Sequence, residues 1–173
     1  VVYNNAAQSF VASSFDQPVY TTDVTGSGVI RMLEGIKNFN DKIKFFQAAS
    51  SEMYGLEKSI TKNENTPFHP ISPYSIAKVH AYWITRMYRE AYGMFAVNGI
   101  LFNHESPIRG IEFVTRKISN EVAKISLGLE KSLKLGNLSA QRDWGYAPEY
   151  IEGIISMMTQ KKSDDYILAT NET

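Results

Sequence analysis

The 173-residue chain carries 18 basic and 18 acidic side chains, so its formal net charge is zero, and 43% of its residues are apolar. That composition suits a globular core and offers no basic field, which excludes nucleic acid and anionic membrane as expected partners. Cysteine is absent, which rules out disulfides and thiolate metal sites.

Val1 to Tyr3 reads as a strand that delivers the small residues Asn4-Asn5-Ala6-Ala7-Gln8-Ser9. Such residues either admit a ligand close to the backbone or simply link strand to helix. The chain begins at Val1 rather than methionine, already inside strand-like sequence, so an internal piece of a longer protein is expected. From Thr25 to Lys37, Val29, Leu33 and Ile36 fall at helical spacing. Gly26 and Gly28 each cost such a helix about 1 kcal/mol relative to alanine, which makes sense if it packs closely on a neighbour.

A buried strand is expected over Phe45 to Ala49, running into Ser50-Ser51-Glu52. Ser72 suits an N-cap and Pro73 the first position of a helix reaching Tyr92, with Gly93 as its stop. Ile76, Val79, Trp83 and Met87 form one apolar stripe, widened by Ala77, Ala81, Ile84 and Tyr88, and are expected to pack inward. Phe95 to Phe102 reads as a second apolar strand. A helix over Phe113 to Leu127 is expected to turn Val114, Ile118, Val122 and Ile125 inward, with Gly128 closing it. Ser132 to Leu135 is read as a short strand. A helix opened by Pro148 is expected to bury Tyr150, Ile151, Ile154, Ile155 and Met158, and Asp165 to Ala169 is a last strand. Strands alternating with helices across short links predict an α/β fold with a parallel sheet.

Tyr74 and Lys78 stand four residues apart on one predicted helix, so they share a face. A nearby ammonium favours the phenolate, which would make Tyr74 a base near neutral pH. The same spacing also arises from ordinary amphipathic packing. Ser50 and Glu52 follow a strand, where open α/β sheets place ligands. A planar guanidinium such as Arg142 suits a diphosphate. His104 and the charges Arg116 and Lys117 read locally as structural or solvated groups. His69, His80 and His104 show no metal-ligand spacing, so no metal is expected. No apolar run approaches the ~18 residues of a membrane span, and no signal-like N-terminus is seen, so a cytoplasmic protein is expected.

The stretches Ser50-Ser51-Glu52-Met53-Tyr54-Gly55 and Ser72-Pro73-Tyr74-Ser75-Ile76-Ala77-Lys78 resemble the extended short-chain dehydrogenase/reductase family. Gly99-Ile100-Leu101-Phe102-Asn103-His104-Glu105-Ser106-Pro107 and Arg142-Asp143-Trp144-Gly145 resemble its GDP-mannose 4,6-dehydratase branch. The resemblance implies a partial Rossmann-type parallel sheet with helices on both faces, plus part of a smaller C-terminal substrate domain. Residues 1–110 would be the C-terminal half of an NADP-binding domain, and residues 111–173 a partial sugar-nucleotide region interleaved with it. It implies Ser50, Glu52, Tyr74 and Lys78 as catalytic residues. Ala6, Ala7, Gln8, Lys78, His104 and Arg109 would contact NADP. Ser9, Asn103, Lys117 and Arg142 would contact GDP-mannose, in a homodimer or homotetramer. Phe10 and Ile108 replace the histidine and arginine usual in that family. Another sugar-nucleotide dehydratase or epimerase, or a non-catalytic truncated relative, are the alternatives. No G-x-x-G-x-x-G or G-x-G-x-x-G turn occurs in the 173 residues; the resemblance implies that it precedes Val1.

Overall fold

Strand β2, Phe45–Ser50, is buried along all 6 of its residues, and the molecule is layered on either side of it. It pairs in parallel with β1, Val2–Asn4, on one side and with β3, Ala96–Leu101, on the other. A further parallel strand, Asp165–Leu168, runs beside β3 and completes a four-stranded sheet. Between these strands lie helices α1 (Val11–Asp16), α2 (Pro18–Thr22), α3 (Gly28–Phe39) and α4 (Pro73–Tyr92). Beyond β3, Asn103–Glu105 forms β4 and pairs in parallel with β5, Trp144–Tyr146. Helix α5 (Val114–Ser126) separates these two strands, and α6 (Ala147–Thr159) leads to the last strand of the main sheet, β6. This computed structural model describes residues 1–58 and 61–172; Thr173, the end of the second expected region, lies outside them.

The period-two alternation of β2 and β3 decides which helix covers which face. Phe45 packs with Ala81 and Tyr88 of α4 and with Val29, Leu33 and Ile36 of α3. Phe46 and Ala48 face the other way, onto Tyr150, Ile154, Met157 and Met158 of α6. Helices therefore cover both faces, as doubly wound parallel sheets require. Burying each of these large side chains contributes about 2 kcal/mol. Gly99 is obligatory in β3, because a Cβ there would enter the Phe46 ring.

Helix α4 starts as its sequence dictates. The Ser72 hydroxyl accepts from the Ser75 N–H at 3.0 Å, and the Ser75 hydroxyl accepts from the Ser72 N–H at 2.9 Å. Gly93 ends the helix in the left-handed region at φ 65°. At the far end of the sheet from the cleft described below, buried Asp165 accepts from Tyr82 at 2.7 Å, Asn98 at 2.9 Å and Arg89 at 2.9 Å. Burial works against its charge, but these donors outweigh it and hold the carboxyl below its ordinary range.

Several expected faces are rotated. On α4 the buried stripe runs through Tyr74, Ala77, Lys78, Ala81, Tyr82, Thr85 and Tyr88, whereas Ile76, Trp83 and Met87 are exposed. The buried stripe includes Lys78 and Thr85 and is no more apolar than the exposed one, so periodicity pointed to the wrong face. On α6, Ile151 and Ile155 are exposed and Met157 is buried instead. On α5 no residue is buried; Val114, Ile118, Val122 and Ile125 lie outward because no described element covers them. Ser132 to Leu135 is not a strand, since it finds no hydrogen-bonding partner strand among the described residues. The close approach expected at Gly26 holds: a Cβ there would meet His80 Nδ1 at 2.8 Å. At Gly28 the nearest contact is an ordinary 3.6 Å, so close packing does not explain that glycine. A π-helical turn, Asp23–Ser27, precedes α3.

Candidate active site

The β1–β2 ladder stops at Asn4↔Gln47, while β2 and β3 stay paired through Ser50↔Leu101. The chain leaving β1 therefore departs from the sheet, opening a cleft of ≈ 360 Å³ at the carboxyl ends of the strands. Crevices at strand ends are where open α/β sheets bind ligands. Ala7 and Ser9 form one wall, Ser50 and Glu52 the floor beyond β2, and Tyr74 and Lys78 come from the first turns of α4. Asn103, His104 and Arg109 complete it from beyond β3.

Ser50 ends β2 extended, and its hydroxyl accepts from the Glu52 N–H at 3.2 Å, capping a single 3-10 turn, Ser51–Met53. That cap leaves the Glu52 side chain, half-buried, on the cleft wall. Tyr74 and Lys78 are buried, at 8% and 3% exposure. Lys78 Nζ donates to the Ala48 carbonyl at 2.7 Å and sits 5.7 Å from the Tyr74 ring centroid.

This geometry corrects the expectation that Lys78 lowers the Tyr74 pKa. Burial pushes the phenol above its ordinary value, and the Glu52 carboxylate adds to that. A hydrogen bond with Ser50 and the charge of Arg109 pull downward without prevailing. Lys78 does not offset the burial, because its amine loses its proton before the phenol does. Burial lowers its own pKa to about 8. In the unliganded chain Tyr74 is thus a neutral phenol at neutral pH.

His104 and Arg109 are braced from behind. The His104 ring stacks on Tyr150 at 4.7 Å between centroids, and its Nδ1 lies 2.8 Å from the Phe102 carbonyl oxygen. Gly145 makes room for Tyr150, since a Cβ there would run into that ring. Arg109 pairs through Nε with Glu105 at 3.2 Å, and Glu105 also accepts from Thr115 at 2.8 Å. The guanidinium lies 3.5 Å over the Phe113 ring, which Phe10 meets edge-on. Phe10, where the resembled family has histidine, thus supports the arginine by packing.

Four expected site residues stand apart from this cleft. Ala6 turns its N–H to Asn4 Oδ1 at 3.1 Å. Gln8 braces the loop, donating from its backbone to Thr25 Oγ1 at 3.1 Å and from Nε2 to the Phe10 carbonyl at 3.0 Å. Lys117 lines a separate surface groove with Glu121, Lys131 and Lys134. Arg142 lines an adjoining ≈ 510 Å³ pocket that shares Ser51, Glu52, Phe102 and Asn103 with the cleft. Among the described residues, no group of three or more His, Asp or Glu could hold a metal ion, and no helix is long and apolar enough to cross a membrane. Sequence reasoning passed over Gln47, Glu105, Gly145 and Tyr150. Gln47 carried a signal, being a polar residue inside an otherwise apolar strand.

The sheet, its covering helices and the strand-end cleft have the Rossmann-type form of short-chain dehydrogenase/reductase enzymes. In fold the chain matches the structure of RMD from Pseudomonas aeruginosa complexed with NADPH, with a TM-score of 0.91 at 21% identity, over 99% of this chain and 61% of that one. The chain belongs to the GDP-mannose 4,6-dehydratase family, whose model, described as GDP-mannose 4,6 dehydratase, matches residues 1–173. It is 55% identical to the GDP-mannose 4,6-dehydratase of Sinorhizobium fredii (strain HH103), covering 99% of this chain and 50% of that protein. It is 52% identical to the human GDP-mannose 4,6 dehydratase, covering 99% of this chain and 46% of that protein. The chain thus spans about half the length of the curated relatives it matches.

Proposed function

We propose that this chain carries the catalytic residues of an NADP-dependent GDP-mannose 4,6-dehydratase, which converts GDP-mannose to GDP-4-keto-6-deoxymannose and water. The observation that carries the reading is the convergence of Ser50, Glu52, Tyr74 and Lys78 on one strand-end cleft in a chain of this family. Residues 1–110 are read as part of the cofactor domain and residues 111–173 as part of the sugar-nucleotide region.

The donor set fits one end of a dinucleotide. Lys78, Arg109 and Asn103, all carrying N–H donors, line the cleft, and the Arg109 fork suits a phosphate or a polar ring edge. NADP, when bound, supplies chemistry by taking a hydride from the sugar and returning it. Tyr74 takes the proton of the sugar 4-hydroxyl, and Ser50 hydrogen-bonds the same oxygen. Because burial holds the phenol neutral, Tyr74 must first give up its own proton to solvent. Arg109 is the cleft cation whose charge favours the phenolate. With a keto group at C4, the C5 proton is acidic; Glu52 removes it and donates a proton to the departing C6 hydroxyl. Lys78 also holds the nicotinamide ribose. Arg142, in the adjoining pocket, suits the diphosphate of the sugar nucleotide. The exposed apolar stripe of Ile76, Trp83 and Met87 on α4 supports assembly into a homo-oligomer.

Mass spectrometry of GDP-mannose incubated with the intact protein and NADP+ tests the reading. The expected product has lost one water; unaltered GDP-mannose, with NADP+ shown to be bound, contradicts it.

A further inference from the structure

A parallel ladder continued past Asn4↔Gln47 would bring the Ala6 N–H to the Ala48 carbonyl. The chain does otherwise. Ala6 N–H turns back to Asn4 Oδ1 at 3.1 Å, and Asn4 Nδ2 donates to Gln47 Oε1 at 2.7 Å. Gln47 Nε2 then donates to the Ala48 carbonyl at 2.9 Å, and Lys78 Nζ donates to the same oxygen at 2.7 Å. Asn4, Gln47 and Lys78 are buried, at 4%, 0% and 3% exposure. Buried amides are costly unless every group is paired. A leucine at position 47 would pack an α4-facing site more simply, so packing alone does not account for this chain of amides.

We infer that Asn4 and Gln47 are positioning residues for Lys78: together they free the Ala48 carbonyl from the sheet ladder and present it to the lysine ammonium. The inference rests on the reading of Lys78 as a working group of the site. Asn4 does so by occupying the backbone N–H that would otherwise take the carbonyl. Gln47 locks the asparagine and shares the oxygen, so that Lys78 is held without being captured and stays available to a ligand in the cleft. Tyr74 from the lysine's own helix, Glu52 beyond β2, and His104 and Arg109 beyond β3 are the other ionisable groups lining that cleft.

Titration of Lys78 by the carbon-13 shifts of labelled lysine side chains in the intact protein, assigned with Lys78→Arg, tests this directly and needs no turnover. Asn4→Ala releases the Ala6 N–H to compete for the carbonyl, so the Lys78 midpoint is expected to fall by about one unit. Gln47→Met removes the sharing donor at similar volume, so the midpoint is expected to rise by about half a unit. Asn4→Ser retains an oxygen that can accept from Ala6 and is expected to stay near wild type. A merely structural role would not move the first two variants in opposite directions. Unmoved midpoints, or both moving the same way, overturn the inference. Should Asn4→Ala not fold, the direction in Gln47→Met decides. Failure of the dehydratase reading would show as absent product while the two midpoints still move in opposite directions, so the two failures are distinguishable.

Discussion

Lys78 lies on the same face of α4 as Tyr74, yet its Nζ donates to the Ala48 carbonyl at 2.7 Å rather than to the phenol. The two groups are neighbours without being partners in the unliganded chain. Burial therefore governs each separately, raising the phenol's pKa and lowering the amine's. Ultraviolet titration of the unliganded protein is accordingly expected to show no Tyr74 ionisation below the ordinary tyrosine range near ~10. A tyrosinate signal at neutral pH that disappears in Tyr74→Phe would contradict this.

Lys78 also makes stability depend on pH. Its folded pKa of about 8 lies below the unfolded value of 10.5. Between those values the unfolded chain binds more protons, so stability rises with pH across that window. Below it the buried ammonium costs its full amount, about 3 kcal/mol. Lys78→Met, with Gln47 still satisfying the Ala48 carbonyl, is expected to unfold about 1 to 3 kcal/mol less readily at neutral pH while losing activity. Urea denaturation at neutral pH and near pH 10 measures both effects; a variant less stable than wild type at neutral pH would refute them.

Gly145 makes a sharper structural test. Its Cβ would occupy the Tyr150 ring, and that ring is the stacking partner of His104. Gly145→Ala should cost about 1 to 3 kcal/mol through overpacking and displace His104 from the cleft wall. Thermal unfolding reads the first effect, and the His104 ring resonances read the second. Unchanged stability would show that the ring yields freely.

Much of the sheet was legible because α4 carries explicit punctuation, with Ser72, Pro73 and Gly93 marking its ends. Phe45 to Ala49 was equally clear as a short, mostly apolar run interrupted only by Gln47. Helix rotation was less legible. Ile76, Trp83 and Met87 are as apolar as the buried stripe beside them, and only the neighbouring strand selects the inward face. Ser50, Glu52, Tyr74 and Lys78 were singled out from motif, spacing and resemblance, and they line one cleft. The roles of Asn4 and Gln47 depend on contacts between residues far apart in sequence, Asn4 and Gln47 themselves being separated by 43 positions. The sign of the Tyr74 shift was misread because spacing shows proximity to Lys78 but not the burial that raises the phenol.

In the proposed function Glu52 has a distinct part, removing the proton at C5 of the sugar. Glu52→Gln keeps the size and the Ser50 cap while removing the base. It is expected to permit oxidation at C4 and to slow deuterium uptake at C5 from heavy water by about 100-fold or more. Nuclear magnetic resonance of recovered sugar nucleotide gives the uptake, and wild-type incorporation would place the base elsewhere.

The central claim is that Tyr74 moves the proton that accompanies hydride transfer. Single-turnover hydride transfer from GDP-mannose to NADP+ in Tyr74→Phe tests it most directly, with sugar-nucleotide affinity measured in parallel. The account predicts transfer slowed by about 1,000-fold or more with affinity nearly unchanged, since the phenyl ring preserves the packing and removes only the proton acceptor. Transfer at the wild-type rate would contradict it.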